Sequence, residues 1–119
     1  MSSTDLQDLT TKLLEFRDER DWRQFHSLKN LILSLNLEAS ELLELTQWKS
    51  EEQIENLIGD REFTDRAEEE CADVLLYLLL VAERAGIDLV SAAHKKIEKN
   101  GQKYPVEKAR GSARKYTDL

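Results

Sequence analysis

Residues 74–81 read Val-Leu-Leu-Tyr-Leu-Leu-Leu-Val, and no other feature restricts more tightly what this chain can fold into. The run lies in a longer segment, Asp65 to Ala85, that has neither glycine nor proline and is followed by Gly86. Such a segment predicts a helix, with Gly86 closing it because glycine accepts the positive φ of a helix C-terminus. A surface helix keeps a polar face, and this one has none over two turns, so it must be covered on all sides. Its apolar stretch, Val74–Ala82, is far shorter than the roughly 20 residues that cross a bilayer, so the cover has to be protein. A chain of 119 residues provides little to cover it, and self-association is expected with this helix near a subunit interface.

One proline, four glycines and 34% charged residues favour long helices over a sheet with tight turns. The expected fold is therefore all-α, a bundle of four main helices completed by oligomerisation. Leu6, Leu9, Leu13 and Phe16 recur at spacings of three and four and place a first helix over Thr4–Glu19. The aromatic and charged stretch Arg20–His26 reads as an ordered connecting loop. Ser27 then caps a second helix from Leu28 to about Gln47, with Leu31, Leu35, Leu42 and Leu45 along one side. Ser50 caps a short helix through Ile58, Gly59-Asp60 ends it, and Thr64 opens the apolar helix over Asp65–Ala85. Asp88 caps a last helix that runs to Asn100 and stops at Gly101. Beyond it lie a Lys-Tyr-Pro segment and a basic tail from about residue 101 that need not be helical. No internal repeat or low-complexity segment breaks the chain, which reads as one domain over 1–119.

The net charge of −7 argues against general nucleic-acid binding, yet it is unevenly distributed. From Lys95 onward there are eight basic and three acidic residues; before it there are 9 basic and 21 acidic. An acidic body with a basic tail suits a metal cation on one part and a polyanion on the other, although solvated faces of opposite sign account for it equally well. The single cysteine, Cys71, excludes an internal disulfide framework and reads as a small buried residue with no chemistry of its own. With no charged-then-apolar leader in view, a soluble cytoplasmic protein is expected, bound to no membrane.

Glu38 and Glu41 stand three apart on the second helix, and Glu70 and Asp73 three apart on the apolar one. Each pair shares a helix face. If the two helices pack together, four carboxylates form one cluster that repels itself unless cations or protons occupy it. Oxygen donors without a nearby imidazole select Mg²⁺ or Mn²⁺ over zinc or copper. Glu38 lies within Leu35-Asn36-Leu37-Glu38-Ala39-Ser40-Glu41-Leu42-Leu43, where burying an unpaired charge would cost on the order of several kcal/mol that a metal removes. The plainer reading is that Glu-x-x-Glu and Glu-x-x-Asp are common on solvated helix faces. A di-iron bundle would need Glu-x-x-His on two helices, and neither His26 nor His94 has a glutamate three residues before it.

Beyond these pairs, the chain carries Glu19-Arg20-Asp21-Trp22 with Phe25-His26, Glu38-x-x-Glu41-Leu42 through Gln47-Trp48-Lys49, and Glu70-x-x-Asp73-Val74-Leu75 with Tyr77. Lys103-Tyr104-Pro105, Ala109-Arg110-Gly111-Ser112 and Arg114-Lys115-Tyr116-Thr117 follow. Together these resemble the all-α nucleotide pyrophosphohydrolases of the MazG-like family, most closely their dCTP-cleaving branch. The resemblance implies that Glu38, Glu41, Glu70 and Asp73 are the catalytic ligands of Mg²⁺, with Mn²⁺ a possible substitute. It makes Trp22, His26, Trp48 and Tyr77 the base pocket, which suits a pyrimidine because aromatic faces stack on it. Lys96, Asn100, Lys103 and Tyr104 become phosphate contacts, with Arg110, Arg114 and Lys115 as weaker candidates. It also favours a homotetramer built as a dimer of dimers. Where vertebrate members carry a histidine near the nucleotide, this chain has Leu13. The implied reaction splits a nucleoside triphosphate, dCTP or a 5-modified dCTP, into monophosphate and pyrophosphate. Another substrate such as dUTP and a catalytically silent helical interaction module remain the alternatives.

Overall fold

A computed structural model describes residues 3–119, with side chains from Asp5 onward. Its regular elements are all helical: α1 (Ser3–Glu19), α2 (Leu28–Glu44), α3 (Glu51–Glu55), α4 (Arg61–Ala85), α5 (Leu89–Lys103) and α6 (Val106–Ala109), with 3₁₀ turns at Arg23–Phe25 and Tyr116–Asp118. The four long helices are those the sequence predicts. Two compact units divide the chain, one up to Gly86 and the other Ile87–Leu119.

In the first unit α4 packs against both α2 and α1. Leu31 and Leu45 from the α2 side and Leu79, Leu80 and Ala82 from α4 are the buried apolar side chains among the described residues. The apolar run is thus only partly covered: Val74–Leu78 and Val81 stay half-buried. On α2, Ile32, Leu33, Leu37 and Leu43 are exposed. The first helix departs from its expected face. Phe16 is exposed, and Arg17 is buried in its stead. Arg17 lies four residues from Leu13 and three from Leu14, so it continues the stripe that those half-buried leucines define.

The helix ends follow cap chemistry, with five corrections to the expected boundaries, one of them that α3 stops at Glu55 rather than Ile58, where Leu57 and Ile58 bond three residues back, to Ile54 and Glu55. Ser27 Oγ accepts from Asn30 N, Ser50 and Gln53 form a reciprocal capping box, and Asp88 accepts from Ser91 N, all at the expected positions. Gly86, at φ 70°, closes α4 as expected. However, α4 begins four residues early, because Asp60 does not merely end the preceding turn: its carboxylate accepts from Phe63 N and caps the next helix. Nor does Gly101 stop α5. The helix continues to Lys103, and Pro105 stops it by keeping Tyr104 out of the helical region, at φ −122° and ψ 69°. At the other two boundaries, α2 gives way after Glu44 to turns bonded three residues back, Leu45 to Leu42 and Gln47 to Glu44, and the connector after Trp22 contains a 3₁₀ turn. In the second unit the tail is not structureless. Tyr116 packs edge-on against Tyr104 with ring centroids 5.9 Å apart, and Lys103 Nζ sits 4.9 Å from the Tyr116 ring.

Candidate metal and nucleotide site

Packing α2 on α4 brings Glu38, Glu41, Glu70 and Asp73 together: one ligand atom from each lies within 4.8 Å of the others. Two oxygens there, Glu38 Oε2 and Glu70 Oε2, are buried with no hydrogen-bond partner. Burial first, then a hydrogen bond and repulsion from Glu41, and the charges of Asp73 and Glu70, push the Glu38 carboxyl up to about 7. Glu70 is also raised, by burial and then by Glu41, Asp73 and Glu69. Four carboxylates that repel one another around two orphaned oxygens fit a hard divalent cation, which would satisfy both oxygens and neutralise the repulsion. Glu41 and Asp73 are exposed, which leaves one side of the cluster accessible to a ligand.

The other candidates are distributed as follows. Tyr77, half-buried, stands one turn along α4 from Asp73 and shares its face. Trp22 is 44% exposed and takes the Phe16 ring edge-on at 5.7 Å, while Arg20 stacks on the other partner, 3.6 Å from the Phe16 centroid. Trp48 is 92% exposed and sits at φ 66°, a left-handed conformation that a bulky residue rarely adopts. Lys96, Asn100 and Lys103 follow one another along α5, with Tyr104 at its end. His26 lines a cleft that none of the four carboxylates borders. Its Nδ1 is buried without a partner, and burial and the Arg17 charge lower its proton affinity. Cys71, expected to be buried, is exposed. It follows Glu70 by one residue, about 100° around the helix, and so turns off the face that α2 covers.

Sequence reasoning missed Arg17, Arg23 and Arg84, which share the His26 cleft. The available signal was Arg17 itself, a charged residue at a stripe position.

A chain whose described regular elements are all helical and that gathers two acidic pairs between two long helices has counterparts of known kind. The MazG-like family model matches residues 33–119. The chain is 45% identical to dCTP pyrophosphatase 1 of Rattus norvegicus over 96% of its own length and 67% of that protein. To the Homo sapiens protein of the same name it is 42% identical over the same shares. The crystal structure of a pyrophosphatase from Archaeoglobus fulgidus superposes with a TM-score of 0.78 at 41% identity, covering 85% of this chain and 93% of that one. The chain belongs to the MazG-like family.

Proposed function

We propose that this protein hydrolyses dCTP or a 5-modified dCTP at the α-phosphorus, giving monophosphate and pyrophosphate, with Mg²⁺ held by Glu38, Glu41, Glu70 and Asp73. Its family and relatives make it a nucleoside triphosphate pyrophosphohydrolase. The observation that carries it is the meeting of four carboxylates from two helices within 4.8 Å, around two oxygens with no partner in the protein. When bound, Mg²⁺ supplies charge neutralisation for the triphosphate and acidity for the attacking water. A carboxylate in or beside the cluster, with Glu44 a candidate, accepts the water proton. Trp22, His26, Trp48 and Tyr77 take the base, and Lys96, Asn100, Lys103 and Tyr104 take the phosphates. The dCTP pyrophosphatases among its relatives support dCTP as the substrate, and an exposed tryptophan held in a left-handed conformation supports a stacking role. Exposed Ile32, Leu33, Leu37 and Leu43 on α2 support self-association, and the assembly proposed is a tetramer of paired dimers. In this reading both units act as one domain in a cytoplasmic enzyme that clears unwanted cytidine nucleotides.

The test is pyrophosphate release from a panel of nucleoside triphosphates with and without Mg²⁺, with Glu38→Ala as control. Metal-dependent cleavage of dCTP or its 5-substituted forms, lost in the variant, is expected. Cleavage confined to other nucleotides would overturn the substrate, and unchanged activity in Glu38→Ala would overturn the metal site.

A further inference from the structure

The tail beyond α6 folds back on the end of α5, and nothing in the reaction above uses it. Both partners of this contact lie in the second unit. After α6 the chain turns at Gly111, φ 73°, where Ser112 N donates to Ala109 O at 3.0 Å and Arg114 N donates to Ser112 Oγ at 3.2 Å. The reversal returns Tyr116, on the last 3₁₀ turn, to Lys103 and Tyr104 where α5 ends. There the Tyr116 ring packs edge-on against Tyr104, centroids 5.9 Å apart, with Lys103 Nζ 4.9 Å from its centre. Pro105, Ala109 and Leu119 are half-buried in the same unit, so the returning segment is packed rather than fully solvated.

Lys103 decides what the contact is for. It is half-buried, although every residue of α5 from Ala92 to Gln102 is exposed. No carboxylate among the described residues lies within ion-pair distance of it, and its ammonium is not one of the buried polar atoms. A carboxylate partner would neutralise the charge, whereas an aromatic face does not. The ring attracts the cation through its quadrupole and leaves the N–H donors free for a stronger acceptor. A phosphate oxygen is such an acceptor, since its hydrogen bonds with an ammonium are charge-assisted. A loose lysine stem samples many rotamers, and fixing one of them opposes binding. Resting Lys103 on the Tyr116 ring removes part of that freedom before a ligand arrives, and the edge-on contact with Tyr104 holds the ring itself.

We infer that Tyr116 is a positioning residue: its ring holds the Lys103 ammonium ready for the substrate's phosphates while leaving the charge unneutralised. The inference rests on the proposed reading of Lys103 as a phosphate contact. It gives the returning tail a role that involves neither the four carboxylates nor the base pocket.

Steady-state pyrophosphate release by the full chain with Mg²⁺, on the nucleoside triphosphate it cleaves fastest, tests the role through variants at Tyr116. Tyr116→Phe keeps the ring and should retain the wild-type KM and kcat. Tyr116→Leu keeps apolar bulk and loses the π face; KM should rise about two- to fivefold, the range such a contact supports at an exposed site, with kcat unchanged. On a Lys103→Gln background Tyr116→Leu should raise KM no further, because the ring acts only through that ammonium. A purely structural tail would lose as much from Tyr116→Leu with Lys103 as without it. Calorimetric titration with pyrophosphate and Mg²⁺ gives a readout free of turnover, and its Kd should weaken in parallel with KM. Unchanged KM in Tyr116→Leu, an equal rise in Tyr116→Phe, or a further rise on the Lys103→Gln background would overturn the inference and leave the reaction standing. If wild type cleaves nothing, or Lys103→Gln leaves KM unchanged, the reading of Lys103 falls and the inference falls with it.

Discussion

Glu38 shows how a single carboxyl can report the state of its site. In the metal-free fold it titrates near 7 against an ordinary 4.5. Between those values the folded chain holds a proton that the unfolded chain has released, so the metal-free protein loses stability as pH rises from about 4.5 toward 7. A divalent cation should reverse this, since it binds the ionised folded cluster far better than the unfolded chain. Thermal unfolding from pH 4.5 to 7.5, with and without Mg²⁺, should show a metal-induced rise in Tm that grows with pH. A pH-independent rise would assign the metal elsewhere. Trp48 supports a second prediction. Its left-handed backbone carries strain on the order of 1 kcal/mol that glycine would not, and its side chain is 92% exposed in the single chain. Trp48→Gly should therefore leave stability unchanged or raise it by about 1 kcal/mol, while KM for the nucleotide rises. A clear loss of stability at constant oligomeric mass would show instead that Trp48 serves packing. The acidic residues were legible at this scale because Glu-x-x-Glu and Glu-x-x-Asp on helices fix a face. Arg17 was legible only as a charged residue at a stripe position, because the burial of a cation depends on neighbours that periodicity does not name.

At the scale of elements, the caps carried most of the readable information. Ser27, Ser50 and Asp88 act where their side-chain acceptors place them, and Gly86 where its freedom at positive φ does. Asp60 and Gly101 were misread for a common reason: a residue that can end one helix can also begin or continue another, and only the flanking backbone decides. Asp60 caps the longest helix, which supplies Glu70 and Asp73. Asp60→Ala should cost about 1 kcal/mol and lower the denaturant midpoint without changing its slope. No change in the midpoint would mean that the first turn of α4 is held by other contacts.

For the whole molecule, the thin core is the dominant fact. Five apolar side chains are buried among the described residues, beside a half-buried run of leucines, while Ile32, Leu33, Leu37 and Leu43 stand exposed on one helix, a surface that a second copy could cover. Light scattering should give a mass above that of one chain across micromolar concentrations. Leu33→Lys with Leu37→Lys, both exposed on α2 and one turn apart, should shift it toward the monomer. A monomeric wild type would remove the assembly from the proposed function. The sequence by itself determined the four long helices, most caps and the two acidic pairs, because each depends on residues a few positions apart along one helix. The tertiary structure decided that the pairs converge on one cluster and that Glu38 and Glu70 carry its orphaned oxygens. It also decided that three arginines from separate elements share a cleft, since these are properties of packing between segments distant in the chain.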